Sequence, residues 1–146
     1  MSEKFLIVDG HSIIFAWPEL RELHGRKTAL ARERLVKALT EYQDYSGVRV
    51  VLVFDGKGQA VSEMTEPGGI QIFYSNAGRT ADDIVERLCA RYAAKYTITV
   101  ATADLLEQQT AISFGAHCTG AEGLRQLIEA ARGDFAADLK RRRRDL

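Results

Sequence analysis

Two short apolar runs in this chain end in the same dipeptide. Phe5-Leu6-Ile7-Val8 runs into Asp9-Gly10, and Val50-Val51-Leu52-Val53-Phe54 runs into Asp55-Gly56. Nearly continuous aliphatic runs of this length suit strands buried on both faces, as in a parallel sheet covered by helices. An Asp after one such strand is ordinarily a turn residue. The same arrangement after two strands raises the question of a shared site.

The rest of the chain alternates in the same manner. Residues 4–9 read as a first strand. Residues 28–46 read as a helix, with Leu30, Leu35, Leu39 and Tyr42 near one face and Gly47 as its stop. Residues 48–54 form the second strand, and a loop rich in Gly and polar residues follows. Residues 70–74 are a third strand, 80–94 a helix striped by Ile84, Leu88 and Tyr92, and 96–101 a fourth strand. A helix over 103–114 stops at Gly115, 116–118 is a short fifth strand, and the last helix starts at Thr119 and carries Leu124, Leu127, Ile128 and Ala131. Strands separated by helices predict right-handed βαβ units and a three-layer α/β/α fold with a mostly parallel sheet.

One domain over residues 1–146 suits this length, and only the basic end, about 134–146 with Lys140 to Arg144, differs in composition. Formal net charge is zero, so a nucleic-acid partner has to be argued from local clusters. Cys89 and Cys118 are distant and lack CxxC spacing, so they read as reduced thiols in a cytoplasmic protein. No apolar run approaches the ~18 residues of a membrane span, and the first is too short for a signal-peptide core.

Parallel strands deliver whatever follows them to one edge of the sheet, where ligands of such folds bind. Asp9 follows the first strand and Asp55 the second. "RTADDIVE" follows the third, with Asp82, Asp83 and Glu86 in the first turns of a helix, and Asp104 follows the fourth. Crowded carboxylates repel one another. An oxygen-only cluster without His or Cys suits a hard cation, Mg²⁺ or Mn²⁺. Two such ions, roughly 3.5–4 Å apart, can activate water and stabilise the leaving oxygen of a phosphodiester. Glycine after Asp9 and Asp55 allows close backbone approach. Each acid also has a structural explanation: "TADD" is a good helix start with Thr80 as N-cap, and Asp104 can cap the next helix. The conjunction of four favours a site.

At these residues the chain resembles a known family. "VDGHSII" and "AWPEL" near the start, "EYQDYSGVRVVLVFDG", "TADD" with its following "ERL", and "VATADLLEQ" together look like the YacP-like branch of NYN domains, in the PIN-like nuclease superfamily. The similarity covers residues 4–130. It implies a sheet in the order 3-2-1-4-5 and metal-dependent ribonuclease activity. The family's acids fall on Asp9, Asp55, Asp82 and Asp104, with Asp83 and Glu86 in support. "VFDGK" is also similar to a metal-binding segment of flap endonucleases. Some members of the branch cleave messenger RNA on the ribosome, which implies RNA and the ribosome as partners. The branch commonly reads Asp-Gly-Tyr-Asn where this chain has Asp9-Gly10-His11-Ser12. Ser12 still offers an oxygen to orient a ligand or Asp9. His11 replaces an aromatic that can stack on a base and adds a group that titrates near neutral pH.

Lys57 and Arg79 are candidate phosphate contacts, each equally readable as a solvated cation; the run Lys140, Arg141, Arg142, Arg143, Arg144 is a strong local positive cluster that can contact RNA phosphates, with a solvated helix end as its default reading. Trp17 reads as core or helix-entry packing, and His24 and His117 stand isolated. Two other functions compete with a nuclease. A catalytically silent RNA- or ribosome-binding module would have lost the acids, which are intact here. A phospho-receiver with Asp55 as acceptor would place a β-α-β unit between its acids and a lysine after the fifth strand, and this chain has neither.

Overall fold

A computed structural model of the chain describes residues 3–56, 62–64, 69–75 and 80–145. In chain order the elements are β1 (Lys4–Asp9), α1 (Gly10–Ala16), α2 (Pro18–Arg26), α3 (Thr28–Ser46), β2 (Arg49–Phe54), β3 (Ser62–Met64), β4 (Gln71–Tyr74), α4 (Ala81–Tyr92), β5 (Thr97–Ala101), α5 (Leu105–Ser113), β6 (His117–Thr119) and α6 (Ala121–Asp145). The sheet order is β3-β4-β2-β1-β5-β6. Its five parallel strands run in the expected 3-2-1-4-5 order, counting β4 as the third. The added strand, β3, is antiparallel to β4 and lies inside the segment read from sequence as a loop.

Alternation along the strands separates two cores. Leu6, Val8, Val50, Leu52 and Phe54 face α1, α2, α3 and α6, while Ile7, Val51, Val53, Ile98 and Val100 face α4 and α5. Helices on both faces make the three layers, and they explain why β1 and β2 are apolar at consecutive positions. Helix α3 spans the predicted residues and ends on Gly47, whose positive φ of 75° suits glycine as a C-terminal stop. Helices α1 and α2 have no counterpart in the sequence reading. Each is under ten residues, and the pair is divided at Trp17-Pro18, so neither offers a long periodic pattern. Pro18 opens α2, where its missing N–H costs nothing. Trp17 is buried, and its Nε1 donates to the Ala121 carbonyl at 2.9 Å, tying α1 to the start of α6.

Helix α6 begins at the carboxyl edge of the sheet and runs back past the other edge. Phe135 stacks on Tyr45 near the end of α3, with ring centres 4.5 Å apart. The residues beyond it project about 15 Å further at 1.5 Å per residue. The basic run from Lys140 is therefore at the opposite pole from the strand-end acids, and Arg141 and Arg142 pair there with Asp138. Among the described residues no helix is long and apolar enough to cross a membrane.

Candidate active site

Asp9 is the last residue of β1 and the N-cap of α1, where its Oδ1 accepts from the Ser12 amide at 3.4 Å. Gly10 follows because a Cβ there would lie 2.3 Å from the buried ring of Phe54 on the neighbouring strand. Asp9 is only 5% exposed. Ser12 also joins two strand ends: its Oγ accepts from the Thr102 hydroxyl at 3.1 Å and from the Ala103 amide at 2.7 Å, in the turn after β5.

Asp55 follows β2, the strand that flanks β1 on the side away from β5. Its Oδ1 accepts from the Ala81 amide at 2.7 Å, at the first residue of α4, and from the Ser75 hydroxyl at 3.5 Å. Its Oδ2 lies 3.5 Å from His11 Nδ1. Gly56 is required sterically, since a Cβ would approach the Ser75 carbonyl oxygen to 2.1 Å. At the next strand end, Thr80 and Asp83 form a reciprocal capping box, each side chain accepting from the other's amide at 3.2 Å. That box and the Asp55 anchor place Asp82 at the carboxyl edge. Asp104 caps α5, its Oδ1 accepting from the amides of Leu106 at 2.9 Å and Glu107 at 3.4 Å.

The tightest grouping is Asp9, Asp82 and Glu107, whose carboxylate oxygens all lie within 4.8 Å of one another. Glu107 is 6% exposed, and neither of its oxygens meets a donor among the described residues. Burial first, then the hydrogen-bonding and charge of Asp82 and Asp9, push its carboxyl up to about 11. Asp9 is raised to about 6, chiefly by burial, while hydrogen bonds from Glu107 and the Ser12 amide act against the rise. A metal-free group of this kind keeps a proton between its carboxylates at neutral pH. A cleft of about 260 Å³ between α4 and α5 is lined by Asp82, Asp83, Glu86, Asp104 and Glu107. The donor set is oxygen only, anionic and short of hydrogen-bond donors, which fits a hard divalent cation.

Of the sequence-predicted residues, Asp9 and Asp82 belong to the tight group. Asp104, Asp83 and Glu86 line the same cleft. Asp55 stands outside the tight group and holds the start of α4. His11 sits between Asp55 and Arg32. Because Arg32 can only donate to His11 Nε2, at 3.3 Å, the imidazole carries its proton on Nδ1 toward Asp55. Burial lowers the His11 pKa, in keeping with this neutral form. Lys57 and Arg79 lie outside the described residues. Glu107 was not singled out from the sequence. Its signal is there in "DLLE", an acid three residues after an N-cap, and in its four-residue spacing from the buried Ala111.

The family model for the YacP-like NYN domain matches residues 6–145. The chain belongs to the YacP-like NYN domain family. It is 34% identical over 128 residues to the uncharacterized protein YacP of Bacillus subtilis (strain 168), covering 85% of this chain and 74% of that protein. A crystal structure of Rae1 (YacP) from Bacillus subtilis superposes with a TM-score of 0.76 at 31% identity, over 94% of this chain and 80% of that one. A mutant form of the same protein gives 0.78 at 29% identity, over 94% and 82%. The fold is that of a PIN-like nuclease, and the acids at its carboxyl edge are to be read in that setting.

Proposed function

We propose that the chain is a divalent-metal-dependent endoribonuclease that hydrolyses phosphodiester bonds in RNA. The observation that carries this reading is the Asp9–Asp82–Glu107 group, three carboxylates converging at the edge of a nuclease fold with no donor on Glu107. Asp9, Asp82 and Glu107 would hold Mg²⁺ or Mn²⁺, with Asp104 and Glu86 facing the same cleft. Such an ion, when bound, supplies Lewis acidity for water activation and for the charge that develops on a scissile phosphate.

The chain's own residues do the rest. Asp9 is fixed by the α1 amide of Ser12, so its carboxylate does not need to reorganise when ligand arrives. Asp55 acts as a positioning residue, since it anchors Ala81 and so sets the place of Asp82. Glu107 gives up its proton when a cation is bound, which makes binding weaker at low pH. The finer identity of the substrate rests on the family resemblance, which supports messenger RNA on the ribosome in the cytoplasm.

The test is cleavage of a single-stranded RNA and its matching DNA by purified protein in Mg²⁺, in Mn²⁺ and in EDTA. Asp9→Asn and Asp82→Asn are run alongside, with circular dichroism to check their folds. RNA cleavage that needs the cation and is lost in both folded variants supports the proposal. Cleavage in EDTA, or within a fewfold of wild type by either variant, contradicts it.

A further inference from the structure

Helix α1 turns two kinds of side chain in opposite directions. Ile13 and Ile14 are core residues, but the next residue, Phe15, is 48% exposed. Its ring meets His24 of α2 edge-on at 4.9 Å between centres, and His11 lies 6.2 Å from each. His11 is the residue that contacts Asp55, so the Phe15–His24 pair is one side chain removed from the acidic edge. On the other side of His11 is Arg32, whose guanidinium stands 5.2 Å from the centre of the Phe54 ring. No carboxylate pairs with Arg32 among the described residues; its Nε is buried without an acceptor there, and one terminal nitrogen contacts His11 Nε2.

A lone exposed phenylalanine is ordinary. An exposed ring beside two imidazoles, one of which contacts a guanidinium that has no carboxylate partner, next to a cluster of acids, is a different composition. The rings offer π-faces that accept any base, and the planar guanidinium matches phosphate oxygens. Unpaired nucleotides are held in this manner by other RNA-binding surfaces, through stacking and charge together.

We propose that Phe15, His24 and Arg32 form a nucleotide subsite on the Asp55 side of the acidic centre, stacking one unpaired base on Phe15 and holding its phosphate on Arg32. The inference rests on the nuclease reading above and specifies how the substrate strand enters: single-stranded, with one base splayed out before the cleft. It also gives a role to His24, which looked isolated in the sequence and serves here as the wall that orients Phe15.

The experiment measures binding of a fluorescein-labelled single-stranded oligoribonucleotide by anisotropy, in EDTA, with abasic nucleotides scanned along the strand. Phe15→Ala should weaken binding roughly tenfold, the size of one lost base stack, with no change in melting temperature. Phe15→Trp should restore it. One abasic position should cost wild type the same factor and cost Phe15→Ala nothing more. Arg32→Gln should weaken binding and lower the magnitude of the salt slope by about 0.7, the value of one phosphate contact to a single strand. Equal affinity of wild type and Phe15→Ala, with no abasic position that distinguishes them, overturns the subsite. If such a wild type still cleaves RNA with a divalent cation, the nuclease reading stands and only the subsite falls. Wild type that binds RNA through Phe15 but never cleaves keeps the subsite and refutes the nuclease. Wild type that neither binds nor cleaves refutes both.

Discussion

Replacing Glu107 by the non-titrating glutamine should stabilise the metal-free protein at neutral and alkaline pH. In the unfolded chain this carboxyl titrates near 4.5, whereas in the fold it is raised to about 11. Above pH 4.5 the unfolded chain has lost a proton that the folded chain keeps. Folding then requires proton uptake, so stability is fully present below pH 4.5 and is lost as pH rises toward the folded pKa. Each pH unit in that window costs about 1.4 kcal/mol per proton. From about pH 5 to about pH 8, one proton held by the carboxylate group amounts to ~4 kcal/mol, a large share of the 5–15 kcal/mol of a typical domain. Asp9 adds a smaller loss of the same sign, confined to the window between 3.8 and about 6. Glutamine keeps the shape of Glu107, carries no charge and can donate to Asp9 and Asp82. Urea unfolding in EDTA across this pH range should show wild type weakening with a slope near one proton, and Glu107→Gln with a distinctly flatter curve that crosses above it. Mg²⁺ should flatten the wild-type curve and leave the variant almost unmoved. Parallel pH curves for the two proteins would refute the reasoning.

Gly56→Ala should destabilise the fold by about 1–3 kcal/mol in urea titration, because the new Cβ meets the Ser75 carbonyl oxygen, which is backbone and cannot swing aside. Ser12→Ala leaves the Ala103 amide and the Thr102 hydroxyl without their acceptor, so a loss of about 1–3 kcal/mol is expected, together with slower cleavage as the β1 and β5 ends loosen. Deleting Lys140 to Leu146 should leave cleavage of a short RNA unchanged, because the basic run is at the far pole. Binding of long RNA should weaken, with the magnitude of the salt slope falling by about 0.7 for each phosphate that the shortened chain no longer neutralises.

What could be read from sequence followed the strength of the local pattern. β1 and α3 came out with their full extents, since a continuous apolar run and a five-turn stripe ended by glycine leave little choice. The parallel order followed from alternation of strands and helices together with the family resemblance. Helices α1 and α2 escaped notice because their apolar residues, Ile13, Ile14, Leu20 and Leu23, are too few to declare a period on either side of Trp17-Pro18. β3 is three residues long, and its pairing with β4 depends on tertiary contact. In the site, the strand-end acids were visible because topology alone sends them to one edge. Glu107 was not, because a glutamate in a helix is exposed by default and only the packing of α5 against the sheet buries it. Asp55 and Asp83 carry a second role that charge alone does not reveal: one oxygen of each accepts from an amide at the start of α4.

The most direct measurement of the central claim is the Mn²⁺ dependence of RNA cleavage by wild type and Glu107→Gln, at fixed RNA and pH, with both folds checked. Glu107 is not among the acids taken from the family resemblance, so its effect tests the geometry independently. If Asp9, Asp82 and Glu107 hold the catalytic cation, wild type should saturate with Mn²⁺. Glu107→Gln should then need at least tenfold more Mn²⁺ for half-maximal rate, or show no cleavage at all, since removing an anionic ligand at this site costs on the order of 1.4 kcal/mol or more in cation affinity. Superimposable Mn²⁺ curves for the two proteins would contradict the account and place the working cation elsewhere.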